Sequence, residues 1–185
     1  MNEKKVYIFL ADGFEEIEGL TVVDILRRAK ADISMVSVTG KRTVKGSHGI
    51  EVTADVVFEE AELEDGAFYV LPGGMPGTTH LGEHKGLCSL LVRKYQEGAG
   101  IAAICAAPSV LGDLGILRGH TAVCYPGLEE RLAGADVTKN EVEVSGNVVT
   151  SRGMGTAIPF ALALTGQLCG EEKAQAIGKG IIFRA

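Results

Sequence analysis

The sequence predicts an α/β fold in which a mainly parallel β-sheet is covered by helices on both faces. Short apolar runs alternate with amphipathic segments along the 185 residues, a pattern typical of strands buried on both sides. Hydrophobic residues make up 46% of the chain, which is ordinary for a folded soluble domain. Because neither a linker nor an internal repeat interrupts the pattern, residues 1–185 are expected to form a single domain.

The predicted strands are short apolar runs that end at turn-forming or polar residues. They lie at residues 6–10, 33–38, 67–71, 101–104 and 121–125. Two hairpins are expected as well. One covers residues 44–57, where apolar residues alternate, and the other joins residues 142–145 to 148–150 through Gly146 and Asn147.

The predicted helices carry apolar residues at a spacing of three and four positions. They cover residues 17–31, 87–95, 110–117, 159–169 and 171–178. In a sheet of this class, ligands bind at the carboxyl ends of the strands. The candidate site therefore consists of three loops that follow strands, at residues 13–18, 72–77 and 105–108.

Charge and cysteine content exclude several classes of protein. The net charge is −6 and no basic cluster occurs, so nucleic-acid binding is not expected. No apolar run reaches the roughly 20 residues that span a membrane, and the N-terminus does not resemble a signal peptide, so we expect a cytoplasmic protein without a membrane partner. Neither paired cysteines nor histidines at zinc spacing occur, so neither a metal nor a disulfide framework is expected.

Cys105 is the residue most typical of a reactive group. It follows the buried run at residues 101–104 and precedes Pro108, which is favoured at the start of a helix. This strand-to-helix turn is typical of a nucleophile elbow, and the positive end of the following helix would lower the thiol pKa. The alternative is a small apolar side chain packed at a strand end, which is also the role expected of the other cysteines, Cys88, Cys124 and Cys169.

Glu15, Glu16 and Glu18 follow the first predicted strand. They could simply be solvated acids that complement the positive end of a helix. Alternatively, Glu18 lies one turn into the helix and could bend towards the strand ends. A carboxyl kept protonated by burial could then donate a hydrogen bond to the Cys105 thiolate.

Residues 71–74 read Leu-Pro-Gly-Gly and have two explanations. They could form an ordinary turn, or they could bring backbone N–H groups close to a ligand as an oxyanion site. Neither a phosphate loop nor a dinucleotide motif follows the first strand. No nucleotide, flavin or other cofactor is therefore expected, although the fold class alone would allow one.

Four segments together resemble the ThiJ/PfpI superfamily, and their order and spacing resemble its parkinsonism-associated deglycase branch. They are residues 13–18, 71–74, 103–108 and 150–153. The resemblance implies a flavodoxin-like three-layer α/β sandwich with a nucleophile elbow, which is usually a homodimer. It assigns Cys105 as the nucleophile and Glu18 as its protonated partner, and it assigns the oxyanion site to the backbone N–H groups of Gly74 and Ala106.

The same resemblance supplies the remaining candidate residues. Those expected around the substrate pocket are Glu15, Glu16, Gly73 and Tyr125. Arg28 and His48 match basic positions near a dimer contact beside the cleft, where they could attract an anionic group. His48 could equally be an ordinary exposed loop histidine.

Tyr125 is a departure from the family pattern, because relatives often place a histidine before the proline that is Pro126 here. A cysteine–histidine dyad is therefore not expected at this position. Tyr125 is a poor base because its ordinary pKa is near 10. It could donate a hydrogen bond, or it could serve only in packing.

The resemblance implies a cysteine-dependent enzyme that acts on small α-oxoaldehydes, of the glyoxalase or deglycase type, such as one that converts methylglyoxal to lactate. The alternative is a redox-sensing or stress-protective protein whose Cys105 is oxidised to sulfinate. The missing histidine favours the alternative, because catalysis loses a proton carrier while oxidation does not. A small aldehyde and a second copy of the chain are the expected partners.

Overall fold

In the computed structural model, residues 4–184 are described, and they form a seven-stranded sheet between two helical layers. The strands of this sheet, in chain order, are β1 (Lys5–Leu10), β2 (Asp32–Ser37), β5 (Val56–Val57), β6 (Gly66–Leu71), β7 (Gly100–Ile104), β10 (Val142–Ser145) and β11 (Val148–Ser151). Two further pairs are β3 (Thr43–Lys45) with β4 (Glu51–Thr53), and β8 (Thr121–Ala122) with β9 (Asp136–Val137). The helices are α1 (Glu16–Arg28), α2 (Gly77–Glu83), α3 (Lys85–Gln96), α4 (Pro108–Asp113), α5 (Ala157–Cys169) and α6 (Glu171–Gly180).

The order of strands in the main sheet is β10-β11-β7-β6-β1-β2-β5. Within the described residues, its neighbouring strands are parallel except where β10 pairs with β11. The chain moves from β1 outwards to β2 and then returns to place β6 on the other side of β1. The carboxyl ends of β1, β6 and β7 therefore lie at the point where strand order reverses, which is where open α/β sheets bind ligands.

Strand β1 shows how the sheet separates two apolar cores. Its successive side chains point to opposite faces, because side chains alternate along a strand. Ile8 belongs to the core that contains Leu26 of α1 and Phe160 of α5. Phe9 belongs to the core that contains Leu91 of α3. The predicted three-layer α/β sandwich is therefore confirmed.

Two predicted β segments differ from the structure. The strand expected at residues 121–125 is limited to β8, which pairs with β9 outside the main sheet. Beyond β8 the chain turns back towards the elbow, where the backbone N–H of Tyr125 donates to the carbonyl oxygen of Cys105 at 2.8 Å. The hairpin expected over residues 44–57 is only β3 and β4, because β5 leaves it to join the edge of the main sheet beside β2.

The helix boundaries also differ from the prediction in places. Helix α4 ends at Asp113 instead of residue 117, because Gly115 adopts a positive φ of 74°, a conformation that ends helices. Helix α1 similarly ends at Arg28, two residues before Lys30 with its φ of 61°. Helix α2 was not predicted, because its sequence is short and carries two glycines. Among the helices of residues 4–184, none combines the length and the apolar character needed to cross a bilayer.

Candidate active site

Cys105 lies on a strained turn between β7 and α4. Its φ of +67° is in the left-handed region, which is uncommon for a residue with a side chain. Backbone hydrogen bonds hold this conformation on both sides. The N–H of Cys105 donates to the carbonyl of Ser151 in β11 at 2.9 Å, and its own carbonyl accepts from Tyr125 at 2.8 Å. The predicted nucleophile elbow is therefore confirmed.

Glu18 reaches this elbow from α1 and is fully buried. Its Oε2 accepts a hydrogen bond from the backbone N–H of Gly73 at 2.8 Å. Its Oε1 has no hydrogen-bond partner among the described residues, and the carboxyl group contacts the Cys105 thiol closely enough that each group shifts the pKa of the other. Gly73 permits this contact, because a Cβ there would lie 2.6 Å from the Cβ of Cys105 and 2.7 Å from Oε2 of Glu18.

The pKa values of this pair are set mainly by burial. Burial raises the pKa of Glu18 to about 7. Burial, followed by the charge of Glu18, raises the pKa of the Cys105 thiol to about 12. The prediction of a lowered thiol pKa is therefore wrong, because burial outweighs the favourable N–H groups around the sulfur. Once the pair has lost its first proton near pH 7, one proton remains for two groups. A thiolate is present when that proton resides on Glu18.

Backbone N–H groups from two loops converge on the sulfur. Those of Gly74 and Ala106 lie close enough to the sulfur to favour its thiolate, and both lower the pKa of Cys105. Gly74 has a φ of +89°, and a Cβ at this position would lie 2.3 Å from the backbone nitrogen of Glu15. A glycine is therefore required if the loop is to approach this closely. Two converging N–H groups can also stabilise an oxyanion formed beside the sulfur.

A cavity of about 700 Å³ opens beside this pair. Cys105, Gly74 and Ala106 lie on its wall together with Tyr125. Sequence reasoning missed the lining residues Thr78, Val110, Asp113, Leu128 and Arg131. The position of Thr78 shortly after the Pro-Gly-Gly loop was the one signal that could have indicated it.

Glu15, Glu16 and Gly73 are not among the described residues that line this cavity, and their role around a substrate stays a prediction. Glu16 instead faces the β3–β4 turn, where its Oε1 accepts from the backbone N–H of His48 at 2.8 Å. Its Oε2 lies 3.0 Å from Nδ1 of His48. Burial raises the pKa of Glu16, but these hydrogen bonds outweigh burial and lower it to about 2.

Arg28 and His48 do not act as a pair. The Nε of Arg28 donates to Asp24 of the same helix at 2.8 Å, whereas His48 contacts Glu16. His48 is 67% exposed, and the hydrogen bond with Glu16 raises its pKa. Their role near a dimer contact beside the cleft stays a prediction.

Within residues 4–184, one group of side chains could hold a metal ion, namely Glu15, Glu16 and His48. One potential ligand atom from each lies within 4.8 Å of the others. The imidazole already satisfies Glu16 by a hydrogen bond. The group also lies at the N-terminus of α1, whose partial positive charge disfavours a cation. The hydrogen bond between Glu16 and His48 therefore accounts for the proximity of these side chains without a metal ion.

The protein thus has a flavodoxin-like sheet with a cysteine on an elbow at its carboxyl edge, in contact with a buried glutamate. These features define a class of cysteine-centred α/β proteins. The chain belongs to the DJ-1/PfpI family, whose sequence pattern it matches over residues 4–167. This finding confirms the resemblance to the ThiJ/PfpI superfamily.

Named relatives place the chain more narrowly within this family. It is 36% identical to protein dj-1beta of Drosophila melanogaster over 182 residues, which cover 97% of each chain. It is 33% identical to a deglycase of Pyrococcus abyssi over 151 residues, or 80% of this chain and 89% of that one. It is also 38% identical to protein DJ-1 homolog B of Arabidopsis thaliana, and this match covers 98% of the present chain. The chain spans about half the length of the two Arabidopsis relatives that it matches, homologs A and B.

Solved structures agree with this placement. The structure of oxidized DJ-1 from Toxoplasma gondii superimposes with a TM-score of 0.94 at 36% identity, over 98% of this chain and 100% of that chain. Drosophila melanogaster DJ-1beta gives a TM-score of 0.93 at 35% identity, over 97% and 98% of the two chains. The flavodoxin-like sandwich predicted from the sequence is thus that of DJ-1 proteins.

Proposed function

We propose that the protein is a cysteine-dependent enzyme that acts on small α-oxoaldehydes and converts methylglyoxal to lactate. The observation that carries this proposal is the strained Cys105 in contact with buried Glu18, at the wall of a cavity of about 700 Å³. Relatives named deglycases support chemistry on aldehyde adducts. The residues of the site supply a nucleophile, a proton carrier and N–H donors, so the reaction needs no cofactor.

The first step forms a bond between the sulfur of Cys105 and the aldehyde carbon C1. With the shared proton on Glu18, the thiolate attacks C1 while the carbonyl electron pair moves onto the oxygen. The N–H groups of Gly74 and Ala106 stabilise this oxyanion. Glu18 then gives its proton to the oxygen, which leaves a neutral hemithioacetal and a Glu18 carboxylate.

The second step moves hydrogen between the two carbons. The Glu18 carboxylate takes the proton from C1 and returns it to C2, while the hydroxyl proton of C1 passes to the oxygen of C2. The product is a lactate thioester of Cys105. Water cleaves this thioester to release lactate and restore the thiol, so that methylglyoxal and water are consumed in equal amounts.

Lactate production from methylglyoxal tests this function. The wild-type protein is expected to form lactate, and Cys105→Ser is expected to form none, because the serine hydroxyl is a far weaker nucleophile at this position. Cys169→Ser is the matched control, since Cys169 is exposed and remote from the elbow. A wild-type protein without turnover, or a Cys105→Ser variant with unchanged turnover, would contradict the proposal.

A second candidate function is redox sensing through Cys105. It is favoured by the two N–H groups at the sulfur, which could bind the oxygens of a sulfinate as readily as a substrate oxyanion. The thiolate would reduce one peroxide to water and become a sulfenate, and a second peroxide would oxidise the sulfenate to sulfinate.

Mass spectrometry after mild peroxide treatment distinguishes the two functions. Preferential oxidation of Cys105 in a protein that does not turn over methylglyoxal would support the sensor. Uniform oxidation of all cysteines would contradict it. The cysteines to compare are Cys88, Cys105, Cys124 and Cys169.

A further inference from the structure

Thr78 of α2 holds a buried hydroxyl that has no hydrogen-bond partner. Among the described residues, two buried side-chain polar atoms lack a partner, and they are Oγ1 of Thr78 and Oε1 of Glu18. Thr78 is 3% exposed and lines the same cavity as Cys105. Buried polar groups are nearly always paired in folded proteins. An unpaired hydroxyl at the wall of a cavity therefore points to a ligand.

Other buried hydroxyls of this protein show how such a group is usually satisfied. Thr165 donates to the carbonyl of Ala161 at 2.8 Å, and Ser109 donates to that of Ala106 at 2.7 Å. For Thr78, the carbonyl one turn back belongs to Gly74 and accepts the backbone N–H of Thr78 at 2.8 Å. The hydroxyl does not use that carbonyl. A rotation about the Cα–Cβ bond would therefore break no hydrogen bond of this hydroxyl.

We propose that Thr78 is a specificity-determining residue whose hydroxyl donates a hydrogen bond to the second oxygen of an α-oxoaldehyde, the one on C2. This inference rests on the proposed function. The first oxygen is held by Gly74 and Ala106, so a dicarbonyl substrate needs another donor for its second oxygen. Thr78 lies one turn beyond Gly74, to whose carbonyl its backbone N–H donates at 2.8 Å, and it lines the same cavity as Cys105 and Ala106.

The need for a hydrogen-bond donor to the C2 oxygen becomes stronger during the proposed reaction. When Glu18 removes the C1 proton, the electron pair of the C–H bond forms the C1=C2 double bond and negative charge moves onto the C2 oxygen. A hydroxyl donor stabilises that charge more than it stabilises the neutral carbonyl. Arg131 is the cationic side chain that the cavity lining offers, but it is paired with Asp113, and both are about half exposed.

The first test compares turnover of methylglyoxal. Thr78→Val keeps the shape of the side chain and removes the hydroxyl, and kcat/KM is expected to fall by roughly 100-fold. Thr78→Ser keeps the hydroxyl and is expected to retain most of the activity. Thr165→Val is the matched control, because it removes a buried helical hydroxyl far from the cavity and should leave kcat/KM unchanged. If Thr78→Val folds poorly, Thr78→Ala removes the same hydroxyl without the added methyl.

The second test does not depend on turnover. Methylglyoxal and propanal each form a reversible hemithioacetal that protects Cys105 from iodoacetamide, but propanal has no C2 oxygen. In the wild-type protein the ratio of protection by methylglyoxal to protection by propanal should exceed that in Thr78→Val by about tenfold. The ratio in Thr78→Ser should stay near the wild-type value.

The outcomes separate the two proposals. If the wild-type protein turns over methylglyoxal and the variants without the hydroxyl do so equally well, the role of Thr78 is overturned and the proposed function stands. If the wild-type protein shows no turnover, the proposed function fails. The protection ratio then decides alone, and an equal ratio in the wild-type protein and Thr78→Val overturns the role of Thr78.

Discussion

At the scale of single residues, the site depends on one proton held between Cys105 and Glu18. Burial raises the pKa of both groups, so the pair resists becoming doubly charged. Two N–H groups face the sulfur and one faces the carboxylate, so both arrangements of the remaining proton are stabilised. The thiol has the higher pKa of the two groups, so the remaining proton lies mainly on Cys105, and the thiolate forms when that proton passes to Glu18.

Glu18→Gln is expected to stabilise the folded protein at pH 8 by about 3 kcal/mol, at 1.36 kcal/mol per pKa unit. Folding raises the pKa of this carboxyl from an ordinary 4.5 to about 7. The contribution of Glu18 to stability is therefore fully present below about pH 4.5 and is lost as the pH rises to about 7. Glutamine stays neutral and avoids that loss.

Urea denaturation of the wild-type protein and Glu18→Gln at pH 4.5, 6 and 8 measures this difference in the free energy of unfolding. The exposed Glu172 provides the control, because Glu172→Gln removes a carboxylate from the surface of α6. The difference for Glu18→Gln should grow with pH up to about 7 and then remain constant. A difference that does not change with pH would show that Glu18 does not titrate in this range.

At the scale of elements, the site depends on the close approach of the loops after β6 and β7. Gly73→Ala is expected to destabilise the protein by about 1–3 kcal/mol and to reduce methylglyoxal turnover roughly 100-fold. The added Cβ would lie 2.6 Å from the Cβ of Cys105 and 2.9 Å from the carbonyl oxygen of Ile104. The elbow would have to move away from Glu18 to make room.

Thermal unfolding and the rate of lactate formation measure these two effects. Gly155→Ala is the matched control, since no atom of residues 4–184 outside its immediate neighbours lies within 4 Å of the added Cβ. It should leave both quantities close to those of the wild-type protein. Equal thermal stability and equal rates of lactate formation in Gly73→Ala and Gly155→Ala would show that the two loops can accommodate a Cβ at this contact.

The elements that carry the site were predictable because their sequences are strongly patterned. β1, β6 and β7 are apolar runs buried on both faces, and Pro108 marks the start of α4. Helix α2 and strand β9 were missed because neither has an apolar run of its own, and the strand predicted at residues 121–125 was longer than β8. Their conformations are set by packing against the rest of the fold, which outweighs local propensity.

The same distinction explains which site residues were predicted. Cys105 directly follows a predicted strand and Glu18 lies one turn into the helix after another, so both were expected near the carboxyl ends of the strands, and the family resemblance assigned them as partners. The lining residues Thr78, Asp113 and Arg131 come from α2, α4 and a short 3₁₀ helix, Glu129–Arg131. Their convergence depends on how these segments pack, which no local pattern reports.

At the scale of the whole molecule, one face exposes apolar side chains beside the β3–β4 turn. Ile17 is 50% exposed and Ile50 is 55% exposed, and both line a groove together with Glu16 and Arg28. Large apolar side chains clustered on a surface are typical of interaction sites. We therefore predict that two copies of the chain associate through this face as a homodimer.

His48 is expected to make this dimer pH-dependent. Its contact with Glu16 lies within one chain and holds the turn that presents Ile50, since the N–H of Ile50 also faces the Glu16 carboxylate at 3.4 Å. The hydrogen bond to Glu16 raises the pKa of His48 above its ordinary 6.5. This contribution is therefore fully present below about pH 6.5 and is lost as the pH rises through the folded pKa.

Sedimentation velocity between about pH 5.5 and 8 tests both parts of this prediction, because histidine titrates within that interval. The dimer dissociation constant should increase with pH in the wild-type protein and remain constant in His48→Gln. Ile17→Asp should be monomeric at every pH, because it places a charge on the apolar face. A wild-type monomer throughout would contradict the homodimer. A wild-type dimer that is indifferent to pH would contradict only the role of His48, since the apolar contact of Ile17 and Ile50 would then suffice to hold the two copies together.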